Sequence, residues 1–194
     1  MRETPNFTGW HAAILHREDS NTERLIRQLT LLGLSTSLRW EPLSAMECPD
    51  LVIVDADQGW DGLLASAPAA HPAVPVIALL GSEAPGRIAW ALEQGAGAII
   101  AKPVASSAVY PALVMAVSIH QERMATRSKM DRLEERVRMR PLVHAAVQKI
   151  MEARGVGEEQ AYTILRGSAM QRRLPMEQLA AFILGGSEPL PEAV

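Results

Sequence analysis

The chain has 194 residues, 48% of them hydrophobic and 21% charged, with a formal net charge of -3, which describes a globular protein and argues against general polyanion binding. That length has room for one domain of ordinary size and a smaller one. A single cysteine, Cys48, excludes an internal disulfide and fits a reducing compartment; the start MRETPNFTGW is not patterned as a signal peptide, and no stretch nears the roughly 18 apolar residues of a membrane span, so the expected location is cytoplasmic.

Charge is distributed unevenly. Residues 1–104 hold seven Lys/Arg against twelve Asp/Glu, whereas residues 129–173 hold ten against six. Any nucleic acid is therefore expected at the C-terminal end.

From residue 12 to residue 103 short apolar runs alternate with longer amphipathic ones, the pattern of a parallel sheet with crossover helices. Residues 12–15 read as a strand. Residues 22–32 place Leu25, Ile26, Leu29 and Leu32 on one face and stop at Gly33, which reads as a helix. Residues 34–39 form a second strand. Residues 50–55 are an apolar run ending in Asp55, the mark of a buried central strand that opens onto a site at the carboxyl edge of the sheet. Residues 74–80 repeat the buried pattern, residues 86–94 are helical, and residues 98–101 make a fifth strand followed by Lys102-Pro103.

This order of elements resembles the receiver domain of bacterial response regulators and implies a flavodoxin-like, doubly wound α/β fold with a five-stranded parallel sheet. By that resemblance Asp55 stands at the phosphoryl-acceptor position and Lys102 at the active-site lysine. A receiver holds Mg²⁺ with a pair of acids after the first strand, because hard cations take carboxylate oxygen. His16 and Arg17 fall there instead. Glu18 and Asp19 follow, but a slip of one or two residues at a strand end redirects a side chain. Leu80 replaces the switch hydroxyl and Ile99 the aromatic of the fifth strand. The expectation is a pseudo-receiver, with Asp55 and Lys102 a vestigial phospho-acceptor site, no metal, and Lys102 or Arg17 as the ion-pair partner of Asp55.

Residues 106–140 follow as a long helix. No Gly or Pro interrupts residues 112–140, which at 1.5 Å per residue span roughly 40 Å. Met130, Leu133 and Val137 recur at 3-4 spacing, and Arg132/Glu135 and Glu134/Arg138 can pair along the surface. Two readings fit: a solvated connecting helix, or a dimeric coiled coil, which would give the exposed seam a partner to bury it. Pro141 removes an amide donor and disfavours helical geometry at Arg140, so a kink, break or helix boundary is expected there.

The remaining residues divide into three helical segments. Val143, Ala146, Val147, Ile150 and Met151 recur at helical spacing until Gly155-Val156-Gly157. A second segment opens on Glu158 and Glu159 and carries Ala161, Tyr162, Leu165, Ala169 and Met170 on one side. Pro175 introduces a third, with Leu179, Ala180, Ile183 and Leu184 inside. Three such segments bury their stripes only by packing together, so a three-helix bundle is expected.

The series Ala146, Met151, Glu158-Glu159, Ala161-Tyr162, Leu165-Arg166, Ala169-Met170, Arg172-Arg173, Ala180 resembles the ANTAR domain, the RNA-binding module of bacterial transcription antiterminators. The family's Lys-Gly pair is replaced by Val147-Gln148. The domains are then a pseudo-receiver at 1–105, a coiled-coil linker at 106–140 and an RNA-binding domain at 141–194. Lys149, Arg154, Arg166, Arg172 and Arg173 are the candidate RNA-binding residues, since guanidinium groups pair with phosphate and stack on unpaired bases. Tyr162 offers a stacking ring or a core residue, and sharing a face with Leu165 and Ala169 favours the core.

No enzyme constellation emerges. His11, His16, His71, His120 and His144 lack metal-ligand spacing, and neither a glycine-rich phosphate loop nor a G-x-S-x-G turn occurs. No cofactor is expected. The resemblance implies a homodimer that presents two bundles to hairpin loops of a nascent leader mRNA and blocks terminator formation, under the control of a ligand-sensing partner protein. A phosphorylation-dependent regulator with the same output, and a protein-protein adaptor, are the alternatives.

Overall fold

The computed structural model describes residues 5–44, 47–64 and 72–191; His71 lies outside them. The elements in chain order are β1 (His11–Leu15), α1 (Ser20–Leu31), β2 (Ser35–Arg39), β3 (Leu51–Asp55), β4 (Val76–Leu80), α2 (Pro85–Glu93), β5 (Ala98–Ala101), α3 (Ser106–Arg154), α4 (Glu158–Arg172) and α5 (Met176–Leu184). They form two compact units, Met1–Ala125 and Thr126–Val194, with the boundary inside α3.

In the first unit the five strands make one parallel sheet in the order β2-β1-β3-β4-β5. That is the flavodoxin-like order, with the direction of strand addition switching between β1 and β3. Alternate residues of each strand face opposite sides, so the unit has two cores. Ile14, Ile53, Ile77 and Ile100 pack with Leu25 and Leu29 of α1 and with Val109, Leu113 and Val117 of α3. On the other face Leu15, Val52, Val54 and Ala78 pack with Leu63 and with Ala91 of α2. Central strands buried on both faces leave no polar alternation, which is why β3 reads as a continuous apolar run.

Local signals fix the first helix. The Asp19 carboxylate accepts from the amides of Asn21 and Thr22 at 2.8 and 2.9 Å, and Thr22 Oγ1 accepts from the Asp19 amide at 2.9 Å, a reciprocal cap on α1. At the other end Gly33 has φ +86°, and a Cβ there would meet the Thr8 backbone at 3.0 Å.

In the second unit the last turns of α3 join α4 and α5 around Ala146, Val147, Ile150, Ala161, Leu165, Ala169, Leu179, Ala180 and Ile183. The expected three-helix packing is present, and Pro175 is the N-cap of α5. Arg173 closes α4 in the left-handed region, φ 56°, which lets the Leu174 amide reach the Ala169 carbonyl at 3.0 Å.

Five expectations fail here. The helix does not end or break at Pro141: α3 continues to Arg154. A proline inside a helix costs about 3 kcal/mol through one lost hydrogen bond and a carbonyl clash. Beyond it Ala146, Val147 and Ile150 are buried, and burying a Val or Ile contributes roughly 1.5–3 kcal/mol each, enough to offset that cost.

Tyr162 and Met170 are not core residues; they are 42% and 70% exposed. The buried positions of α4 are Ala161, Leu165 and Ala169. That i, i+4, i+8 stripe is narrow, and the next residue along lies about 100° round the helix. Arg132/Glu135 and Glu134/Arg138 are absent from the ion pairs of the described residues, whereas Arg136 reaches Glu177 of α5 at 3.4 Å. Exposed pairs on one helix are worth only about 0.3–0.5 kcal/mol, too little to hold two long side chains together.

Candidate nucleic-acid interface and the acid cluster at the sheet edge

Asp55 ends β3 at the carboxyl edge of the sheet, 2% exposed. Its Oδ1 accepts from Lys102 Nζ at 2.7 Å and from the Asp57 amide at 2.9 Å. Of the two cations offered by the sequence, Lys102 is the partner. Arg17 is not; its guanidinium lies over the Trp40 ring, 5.7 Å from the centroid.

Two further groups complete the cluster. His16 follows β1 and is 5% exposed, with Nε2 3.3 Å from Asp55 Oδ2. That is ion-pair distance off the line of a hydrogen bond, and no other polar atom satisfies this nitrogen. Asp57 lies 3.0 Å from Lys102 Nζ and accepts from the amides of Gly81 and Ser82 at 2.8 and 3.0 Å. Burial pushes the Asp57 carboxyl up, but the Gly81 amide, Lys102 and the Ser82 amide together outweigh it and hold the group below the usual carboxylate range. The sequence signal for Asp57 was the alternation Asp55-Ala56-Asp57 at a strand end. What it would touch depended on a loop 24 residues away.

A divalent cation does not fit this arrangement. Hard cations need free carboxylate oxygens, but both acids contact Lys102, and the remaining Asp55 oxygen faces the His16 ring. Asp19 is occupied in capping α1. The neighbouring surface is aromatic: Trp40 and Trp60 meet edge to face at 5.0 Å, and Trp90 of α2 donates from Nε1 to Asp61 at 3.1 Å. Gly59 is required beneath Trp90, because a Cβ there would come within 2.2 Å of the ring.

In the second unit the five candidate cations fall into two groups. Lys149 Nζ donates to the Ile183 carbonyl at 3.2 Å, Arg154 to the Leu190 carbonyl at 3.4 Å, and Arg172 pairs with Glu188. Arg166 and Arg173 are exposed, and neither has such a partner among the described residues. Arg166 borders a groove of about 1260 Å³ between α3, α4 and α5, also lined by Lys129, Arg132, Tyr162, Met170 and Gln178. The structure therefore brings a half-exposed aromatic ring beside an unpaired guanidinium one turn away. Lys129, Arg132 and the exposure of Tyr162 were missed in sequence because only helix packing reveals which side of α4 is covered.

Comparison with known proteins places these units. The family described as "AmiR, N-terminal" matches residues 10–117, and the ANTAR domain matches residues 131–184. The chain is 28% identical over 179 residues to the aliphatic amidase regulator of Pseudomonas aeruginosa, covering 91% of each chain. It is 31% identical over 144 residues to the transcriptional regulatory protein PdtaR of Mycobacterium tuberculosis, covering 73% of this chain and 70% of the relative. Among solved structures the response regulator StyR aligns with a TM-score of 0.54 at 15% identity, over 90% of this chain and 98% of that one, a likeness of fold alone.

Proposed function

Because the chain belongs to the AmiR N-terminal family and joins that domain to an ANTAR domain, we propose that it is an RNA-binding transcription antiterminator. In this reading the bundle of α3, α4 and α5 grips hairpin loops of a nascent leader mRNA and keeps the terminator stem from forming. No bond is made or broken. The protein selects between two RNA folds, and shifting such an equilibrium from 1:99 to 99:1 takes roughly 5.5 kcal/mol of differential binding.

The observation that carries the reading is the ANTAR match on a bundle whose uncovered groove offers Tyr162 and Arg166. A loop base stacks on the ring while the guanidinium takes a phosphate or a second base. Arg173, projecting from a left-handed cap, extends the basic surface; Lys149, Arg154 and Arg172 contribute charge while bracing the fold.

Met130, Leu133 and Val137 are all more than half exposed along α3. A second copy covering that stripe makes a homodimer and presents two bundles to paired hairpins. The receiver-like unit is the point of control, docking a small-molecule-sensing protein. Phosphorylation is the weaker alternative, because Asp55 is 2% exposed and already paired with Lys102.

The test is a gel shift of leader hairpins with Arg166→Ala, Arg173→Ala and Tyr162→Ala. Each variant is expected to bind at least about fivefold more weakly with helical circular dichroism unchanged, since base stacking alone is worth about 1–3 kcal/mol. Unchanged affinity in all three would overturn the site assignment.

A further inference from the structure

We propose that His16 and Asp57 are resident counter-ions at the sheet edge: an imidazolium in the place of a metal cation and a carboxylate in the place of an incoming anion. Together with Asp55 and Lys102 they make a self-neutralised lock on the loop between β4 and α2. The proposal rests on reading the N-terminal unit as one that works without phosphoryl transfer, and it is independent of RNA binding.

The first half follows from proton counting. His16 Nδ1 lies 2.6 Å from the Arg17 carbonyl oxygen. A carbonyl only accepts, so Nδ1 carries a proton. Nε2 then faces Asp55 Oδ2 at 3.3 Å, buried and without a hydrogen-bond partner. A lone pair in that position would oppose a carboxylate; a second proton makes the contact attractive. Doubly protonated His16 brings the cluster to two negative and two positive charges. A neutral ring would leave Lys102 alone to balance the carboxylates of Asp55 and Asp57, whose side chains are 3% and 22% exposed. Nearby, the Asp19 carboxylate caps α1, and Arg17 turns away over Trp40.

The second half follows from what holds Asp57. An ammonium and two backbone amides converge on its carboxylate, at 3.0, 2.8 and 3.0 Å. Those are the donors with which a protein cradles an oxyanion, and here the chain supplies the anion itself. The amides belong to Gly81 and Ser82, immediately before α2. That helix is also held by Arg87 donating to the Gly59 carbonyl at 3.0 Å and by Trp90 donating to Asp61. The loop is therefore held by internal ions, and a partner would act on it by docking, with no need of a change in charge at Asp55.

The experiment uses the full-length, ¹⁵N-labelled protein without RNA. Histidine ring spectra at neutral pH are expected to show one imidazolium with both nitrogens protonated, the signal that disappears in His16→Gln. Addition of Mg²⁺ with beryllofluoride is expected to leave the Gly81 and Ser82 amides unmoved, while Asp57→Asn shifts both. A His16 ring with an unprotonated Nε2 would overturn the proposal, and so would a saturable shift of the two amides with Mg²⁺ and beryllofluoride in the wild type. That titration needs no variant, so the test survives a His16→Gln chain that does not fold. Since no RNA is present, a failed gel shift leaves this result standing, and the reverse holds equally.

Discussion

Replacing Lys102 by methionine keeps the apolar stem and removes the ammonium shared by Asp55 and Asp57. The two carboxylates lose contacts at 2.7 and 3.0 Å, at side chains 3% and 22% exposed. Breaking one partner out of a buried ion pair costs about 3–5 kcal/mol. His16 still faces Asp55 and two amides still hold Asp57, so the lower end, about 3 kcal/mol, is the expected loss. The assay is urea unfolding followed by tryptophan fluorescence. All four tryptophans, Trp10, Trp40, Trp60 and Trp90, lie in the first unit, so the signal reports that unit without the bundle. Asp55→Asn in the same chain should recover at least half of the loss, because it removes the anion that the substitution stranded. A Lys102→Met chain within about 0.5 kcal/mol of wild type, the range of ordinary surface changes, would refute the reasoning.

Leu165→Ala removes the central buried side chain of α4 and should cost about 3 kcal/mol, read as an earlier loss of helical circular dichroism with the tryptophan transition unmoved. Pro141→Ala restores a helix donor inside α3 and should stabilise the second unit by up to about 3 kcal/mol; a destabilised chain would mean that the proline shapes the helix in a way the bundle needs. Folded Asp57 holds its proton less readily than the unfolded chain does, so its contribution is present above the ordinary carboxylate pKa of about 4 and is lost as the pH falls through the lower folded value. Acid titration of the tryptophan midpoint should be flatter in Asp57→Asn. His120 is also held below the usual range, by burial first and Arg123 second, which predicts stability falling as pH drops below about 6.5 and a smaller fall in His120→Gln.

The sequence by itself determined the sheet, the order of its elements and the three-helix end. Those rest on signals within a few residues of one another: β3 is apolar throughout because both its faces are covered, Gly33 stops α1 through its own backbone, and Glu158-Glu159 open α4 beside a glycine. The sequence offered Lys102 and Arg17 alike as partners for Asp55, and the packed molecule joins Lys102 to it while Arg17 lies over Trp40. What only the tertiary structure decided depends on distant segments meeting. Pro141 sits inside a helix because burial of Val147 and Ile150 downstream outweighs a local cost that the sequence displays alone. Tyr162 is uncovered because α3 and α5 cover a stripe of α4 one residue away. Asp57 becomes part of the site only when Gly81 and Ser82 arrive beside it. Periodicity records which side of a segment is apolar, but charge and hydrogen-bond partners are set by whichever chain folds against it, and that is a property of the packed molecule.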